Sequence, residues 1–147
     1  MKSRNVVTDG NEADVAIAHA LGLASFLRPE RRDRFRQLLR SAQGRTKLRA
    51  SLAHFRDLDP EACAAIPPRE QNPSGIEKLL ADAGAPAVAY VISEDGEVDA
   101  SEMPLHDALV AVVGRGSGTL ISCIPGKLGY YEGEDRGERF ILRHDAI

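Results

Sequence analysis

Glu94, Asp95, Glu97 and Asp99 crowd into six residues directly after the apolar run AVAYVIS at 87–93. Ligands and catalytic groups often sit where a buried strand gives way to a loop, and a carboxylate there can take or give a proton. Glu94 and Asp99, with Glu132 further along the chain, are therefore the candidate acid–base residues. An acidic turn is also the ordinary composition of a solvated loop. Taking Gly96 as the sixth residue of a calcium loop puts Val91 first, so that pattern fails.

A second candidate lies in SCIPGKLGYYEGED. A tight turn at Pro125-Gly126 pairs Ser122 with Gly129 across two strands. One face then carries Thr119, Ile121, Cys123, Leu128, Tyr130 and Glu132 and is core-like except for Glu132 at its end. The other face has a shallow spot at Ser122 and Gly129, flanked by Tyr131. Such a spot holds a ligand or accepts a crossing helix; packing favours the helix.

The third candidate is electrostatic. The formal net charge is −3, but residues 1–72 carry 13 Lys and Arg against 9 Asp and Glu, and residues 73–147 carry 6 against 13. Residues 28–56 hold ten basic side chains opposed only by Glu30 and Asp33. A stripe of this kind attracts phosphate, and Arg32, Arg36, Arg40, Lys47 and Arg49 are the candidate contacts for an anion or nucleic acid. Against a nucleic acid, only 5% of residues are aromatic and the acidic half repels phosphate. The stripe can equally meet the acidic C-terminal half of its own chain, or of a second copy.

Other chemistry finds no pattern. Gly114-Arg115-Gly116-Ser117-Gly118 precedes a strand, whereas a dinucleotide loop follows one and opens a helix. Gly126-Lys127 lacks the remaining residues of a phosphate-binding loop. His19, His54, His106 and His144 have no metal-ligand spacing, and Cys63 and Cys123 stand alone in apolar surroundings, so neither a metal nor a cofactor is expected. No serine sits in a GxSxG elbow. Two buried reduced thiols, no secretory leader and no apolar stretch of membrane length lead to the expectation of a soluble cytoplasmic protein with no membrane partner.

The elements that must position these residues follow from periodicity. A helix is expected from Glu12 to Leu27, capped at Asn11, with Ala16, Ala20 and Ala24 forming a ridge of small residues. A second starts at Pro29, buries Phe35, Leu38, Leu39 and Ala42, and stops at Gly44. A third starts at Thr46 with Leu48, Leu52 and Phe55 inward, and a helical turn from Asp59-Pro60 ends near Ile66. Residues 67–73 form a linker between a helical part, 1–66, and an α+β part, 74–147, within a single domain spanning 1–147. Beyond it, Ser74 and Glu77 make a capping box for a helix ending at Gly84. Strands at 87–93, 119–124, 127–132 and 138–143 follow, with a polar connection at 94–103 and a helix from Pro104.

The order α-β-α-β-β-β implies an α+β fold in which N-terminal helices pack with a mixed four-stranded sheet whose first two strands are parallel. Both faces of those strands carry apolar residues, so both need cover, from the N-terminal helices or from a second copy. With no strong catalytic motif and a polarised charge, a non-enzymatic binding or regulatory module acting through protein contacts and self-association is the leading expectation. A nucleic-acid-binding protein and a small acid–base enzyme are the alternatives.

Overall fold

The structure is a computed structural model that describes residues 14–144. The expected cap at Asn11 lies outside the described residues. The fold is α+β, built on a six-stranded open sheet in the order β1-β6-β5-β4-β2-β3, antiparallel throughout. The strands are β1 (Cys63–Ala65), β2 (Val88–Ser93), β3 (Ser101–Pro104), β4 (Thr119–Ile124), β5 (Leu128–Glu132) and β6 (Arg139–Arg143). The helices are α1 (residues 14–22), α2 (Pro29–Leu38), α3 (Ala42–Ser51), α4 (Pro73–Asp82) and α5 (Leu105–Val112).

The expectation of a mixed sheet of four strands is corrected on two counts. The connection at 94–103 contains β3, which turns back beside β2 and reverses the chain before α5 begins. β4 therefore enters on the other side of β2 antiparallel to it, and the crossover through α5 joins β3 to β4 instead. Cys63–Ala65, expected to be helical, extends the opposite edge as β1 against Leu142, Ile141 and Phe140.

The two faces of the sheet have separate cores. On one, Ala89, Val91, Ile121, Cys123, Leu128, Tyr130 and Ile141 pack with Ile76 and Leu80 of α4 and Ala108, Leu109 and Val112 of α5. On the other, Ile92, Leu120, Tyr131 and Leu142 pack with Leu23, Phe26 and Leu27, with Phe35 of α2, and with Leu48 and Leu52. The N-terminal helices thus cover the second face, because leaving it wet would forfeit roughly 1.5–3 kcal/mol per large aliphatic side chain. Cys63 belongs to the second core and Cys123 to the first, so the sheet separates two free thiols. Burial pushes their pKa values up to about 11 and about 12, with Asp59 adding to the effect at Cys63.

Three helix boundaries differ from the periodic reading. The helix expected to reach Leu27 is α-helical only to residue 22 and gives way to a 3-10 turn, Leu23–Phe26. Ser41 caps α3, accepting from the Gly44 N–H at 2.9 Å, so Gly44 is inside the first turn and stops nothing. A Cβ at Gly44 would collide with the Leu38 carbonyl, so the α2–α3 corner closes only on glycine. α4 is capped by Asn72, two residues before the expected Ser74, with Pro73 in the first turn where its missing N–H costs nothing.

Candidate functional site

β5 and the loop after α5 bring together the most unusual group in the fold. Glu132 ends β5 on the inward parity shared by Leu128 and Tyr130, and its side chain is fully buried. Tyr130 Oη donates to its Oε1 at 2.7 Å, and the Gly114 and Gly116 N–H groups donate to its Oε2 at 2.9 and 3.4 Å. Arg139 Nε lies 3.4 Å from Oε1. The glycine loop closes round the carboxylate because Gly114 and Gly116 take φ of 82° and 73°, which most side chains resist. N–H groups that in another setting would cradle a phosphate are occupied by the protein's own carboxylate. Burial, then the adjoining Glu132, pushes the Tyr130 hydroxyl far above its ordinary pKa, so it serves as a fixed donor.

The other two candidate carboxylates are also held by the backbone. Glu94 Oε1 accepts from the Gly118 N–H at 3.0 Å. Asp99 Oδ1 accepts from the Ser93 N–H at 3.0 Å, and its Oδ2 lies 3.4 Å from Arg49 Nε. Asp95 Oδ1 accepts from the Glu97 N–H, an Asx turn of the acidic loop. Ala100, at φ 56°, sends its N–H to the Val91 carbonyl and turns the chain into β3. Glu94 and Asp99 share a loop, whereas Glu132 sits in the separate pocket of donors beside Gly114, so the three form no acid–base pair.

Ser122 and Gly129 pair as expected, and the spot between them is filled. His19 of α1 reaches it, Nδ1 lying 2.7 Å from Ser122 Oγ, with its ring stacked on Tyr90 at 6.2 Å. Phe26 Cε2 would lie 3.6 Å from a Cβ at Gly129. Tyr131 Oη donates to the Leu52 carbonyl at 2.6 Å and accepts from the Phe55 N–H at 3.2 Å. This is the crossing helix that packing favoured.

Burial holds the His19 pKa below its ordinary value, with Glu102 pulling weakly the other way. As pH falls below about 6.5 the unfolded chain takes up this proton first, so stability declines on acidification towards the lower folded value. Urea midpoints between about pH 8 and about pH 5 should fall more steeply in the native protein than in His19→Gln. Equal slopes would remove His19 as a source of the pH dependence.

The basic residues divide. Arg32 Nε donates to the Leu27 carbonyl at 3.1 Å, and Arg49 Nε to the Ser93 carbonyl at 2.8 Å, tying α2 and α3 to the rest of the fold. Arg36 pairs with Asp33 at 3.1 Å on its own helix. Arg40 and Lys47 are exposed. Two of the five candidate anion contacts are therefore structural anchors.

What sequence reasoning missed is the set round Glu132: Tyr130, Arg139, Gly114 and Gly116. Strand parity, which puts Tyr130 and Glu132 on the core side together, was the one local signal of it. Among the described residues, no three His, Cys, Asp or Glu side chains cluster as metal ligands would, and no helix is long and apolar enough to cross a membrane. Comparison of the chain with protein-family models, curated proteins and solved structures gives no match.

Proposed function

We propose that the chain is a non-enzymatic binding module of the cytoplasm that acts through protein contacts, and that its first contact is with a second copy through the outer face of α1. The observation that carries this is the exposure of Val15, Ile17 and Leu21, at 44, 55 and 39%. They are three of the five large apolar side chains exposed among the described residues, and all lie on one nine-residue helix. Ile17 and Leu21 are one turn apart, with Ala18 exposed between them to admit a close helix approach. The inner face of α1 is already spent on Ser122 and Tyr90. A two-fold contact that sets this stripe against its own copy is self-complementary.

Against an enzyme stands the engagement of Glu94, Asp99 and Glu132 as hydrogen-bond acceptors of the fold. Against a nucleic-acid partner stands the loss of Arg32 and Arg49 from the basic stripe. Two free thiols are in keeping with a reducing compartment.

Sedimentation equilibrium from about 1 μM to about 1 mM should show monomer passing to dimer, a modest association free energy. Ile17→Asp/Leu21→Asp should stay monomeric over the same range with an unchanged circular dichroism spectrum, since both side chains face solvent. A native protein that remains monomeric throughout would overturn the reading.

A further inference from the structure

A cleft of about 600 Å³ opens beside the Glu132 cluster, lined by Pro68, Gln71, Gly114, Arg136, Gly137 and Arg139. Its walls come from three separate places: the turn before α4, the loop after α5, and the β5–β6 connection. No acidic side chain lines it. A Cβ at Gly114 or Gly137 would meet nothing within 4 Å, so the glycines leave the space open.

Arg139 is the unusual wall residue. Its side chain is 11% exposed, and Nε is buried without a hydrogen-bond partner, facing the Glu132 carboxylate at 3.4 Å. A guanidinium carries five N–H donors, and four of them are on the two terminal nitrogens. Those nitrogens make no hydrogen bond to another described residue, and only Nε is sealed from solvent without a partner, so they open to the cleft. Glu132 thus holds one edge of the guanidinium and leaves the fork free. Arg136 supplies a second guanidinium from the exposed turn, with no acidic partner among the described residues.

We infer that this cleft binds a small organic carboxylate, clamped by the Arg139 fork and by Arg136. The charges select the class. Among the lining residues, two guanidiniums set against Glu132 leave one positive charge, which a single carboxylate balances; a phosphate dianion exceeds it and is further opposed by Glu134, Asp135 and Glu138 in the same connection. Arg and carboxylate match as two parallel N–H···O bonds, and a partly buried fork forms them with little loss of side-chain freedom. Gln71 Nε2 is tied to the Ile66 carbonyl at 2.9 Å, which fixes that part of the lining. The site is independent of the α1 surface and does not rest on self-association.

The test is a titration of the ¹⁵N-labelled full chain with sodium acetate, and separately with inorganic phosphate, at ionic strength held constant with chloride. Acetate should give saturable shifts of the Gly114, Gly137 and Arg139 Nε–H signals at millimolar concentration. Arg136→Ala should weaken the affinity about tenfold while leaving the rest of the spectrum in place, the loss expected for one charge-assisted contact. Arg139→Lys, which keeps the charge and removes the fork, should weaken it at least as much. Shifts that never saturate, or that are the same in Arg136→Ala, would overturn the site. Tighter binding of phosphate than of acetate would overturn the carboxylate assignment.

Discussion

Glu132→Ala is expected to lose roughly 3–5 kcal/mol of stability, the cost of removing one partner from a buried charged pair. The side chain is fully buried, and its deletion leaves Tyr130 Oη and the Gly114 N–H without an acceptor and the Arg139 guanidinium without its ion-pair partner. Against a typical domain stability of about 5–15 kcal/mol this is a large fraction of the total. Glu132→Gln should lose less, about 1–3 kcal/mol, because an amide keeps one acceptor oxygen but turns an NH₂ group towards donors. Joint replacement, Glu132→Leu with Arg139→Met, should recover part of the loss by removing both charges together. Urea unfolding of the three variants measures this. A Glu132→Ala protein within about 1 kcal/mol of native would mean that the cluster is far more hydrated than its burial indicates.

Gly118→Ala should cost roughly 3 kcal/mol through steric pressure alone. Gly118 precedes β4 where it crosses the turn after α3, and an added Cβ would lie 2.6 Å from Leu52 Cβ, with the Leu52 carbonyl carbon and the Ala53 nitrogen inside it. Backbone atoms cannot rotate aside as a side-chain tip can, so either β4 or the Leu52–His54 turn must move. Leu52 is fully buried, so movement there disturbs the second core. Two other glycines make the comparison sharp. Gly137→Ala meets nothing and should fall within about 0.5 kcal/mol of native. Gly114→Ala is equally unhindered but sits at φ 82°, so it should cost about 1–3 kcal/mol from backbone strain. Thermal melts of the three variants should rank them Gly118, Gly114, Gly137 from most to least harmed. A neutral Gly118→Ala would mean that β4 and the turn lie further apart than the structure places them.

Four strands were legible in the amino-acid sequence, and two were not. β2, β4, β5 and β6 each carry at least three apolar or aromatic residues, and the parity of β5 assigns Tyr130 to one core and Tyr131 to the other. β1 and β3 are edge strands of three and four residues. SEMP has no apolar run, and its side chains alternate between half-buried and exposed. Such a segment is a strand because β2 offers it unpaired backbone groups, a condition absent from its own composition. Missing β3 also reversed the direction of β4, since one added antiparallel pass inverts everything after it.

The residue types at the candidate sites were likewise set by the sequence, and their use was decided by contacts across the chain. Local pattern puts Glu132 on the inward face, but its donors at Gly114 and Gly116 come from 18 and 16 residues away. Local pattern pairs Ser122 with Gly129 and leaves a gap; His19, 103 residues distant, fills it. The ten basic residues at 28–56 are visible as charge, yet Arg49 faces inward because Ser93 and Asp99, folded against α3, accept from it or pair with it. Periodicity records which side of its own helix or strand a residue occupies. Which distant element meets that side depends on how sheet and helices bury their apolar faces together, and that was settled only in the folded chain.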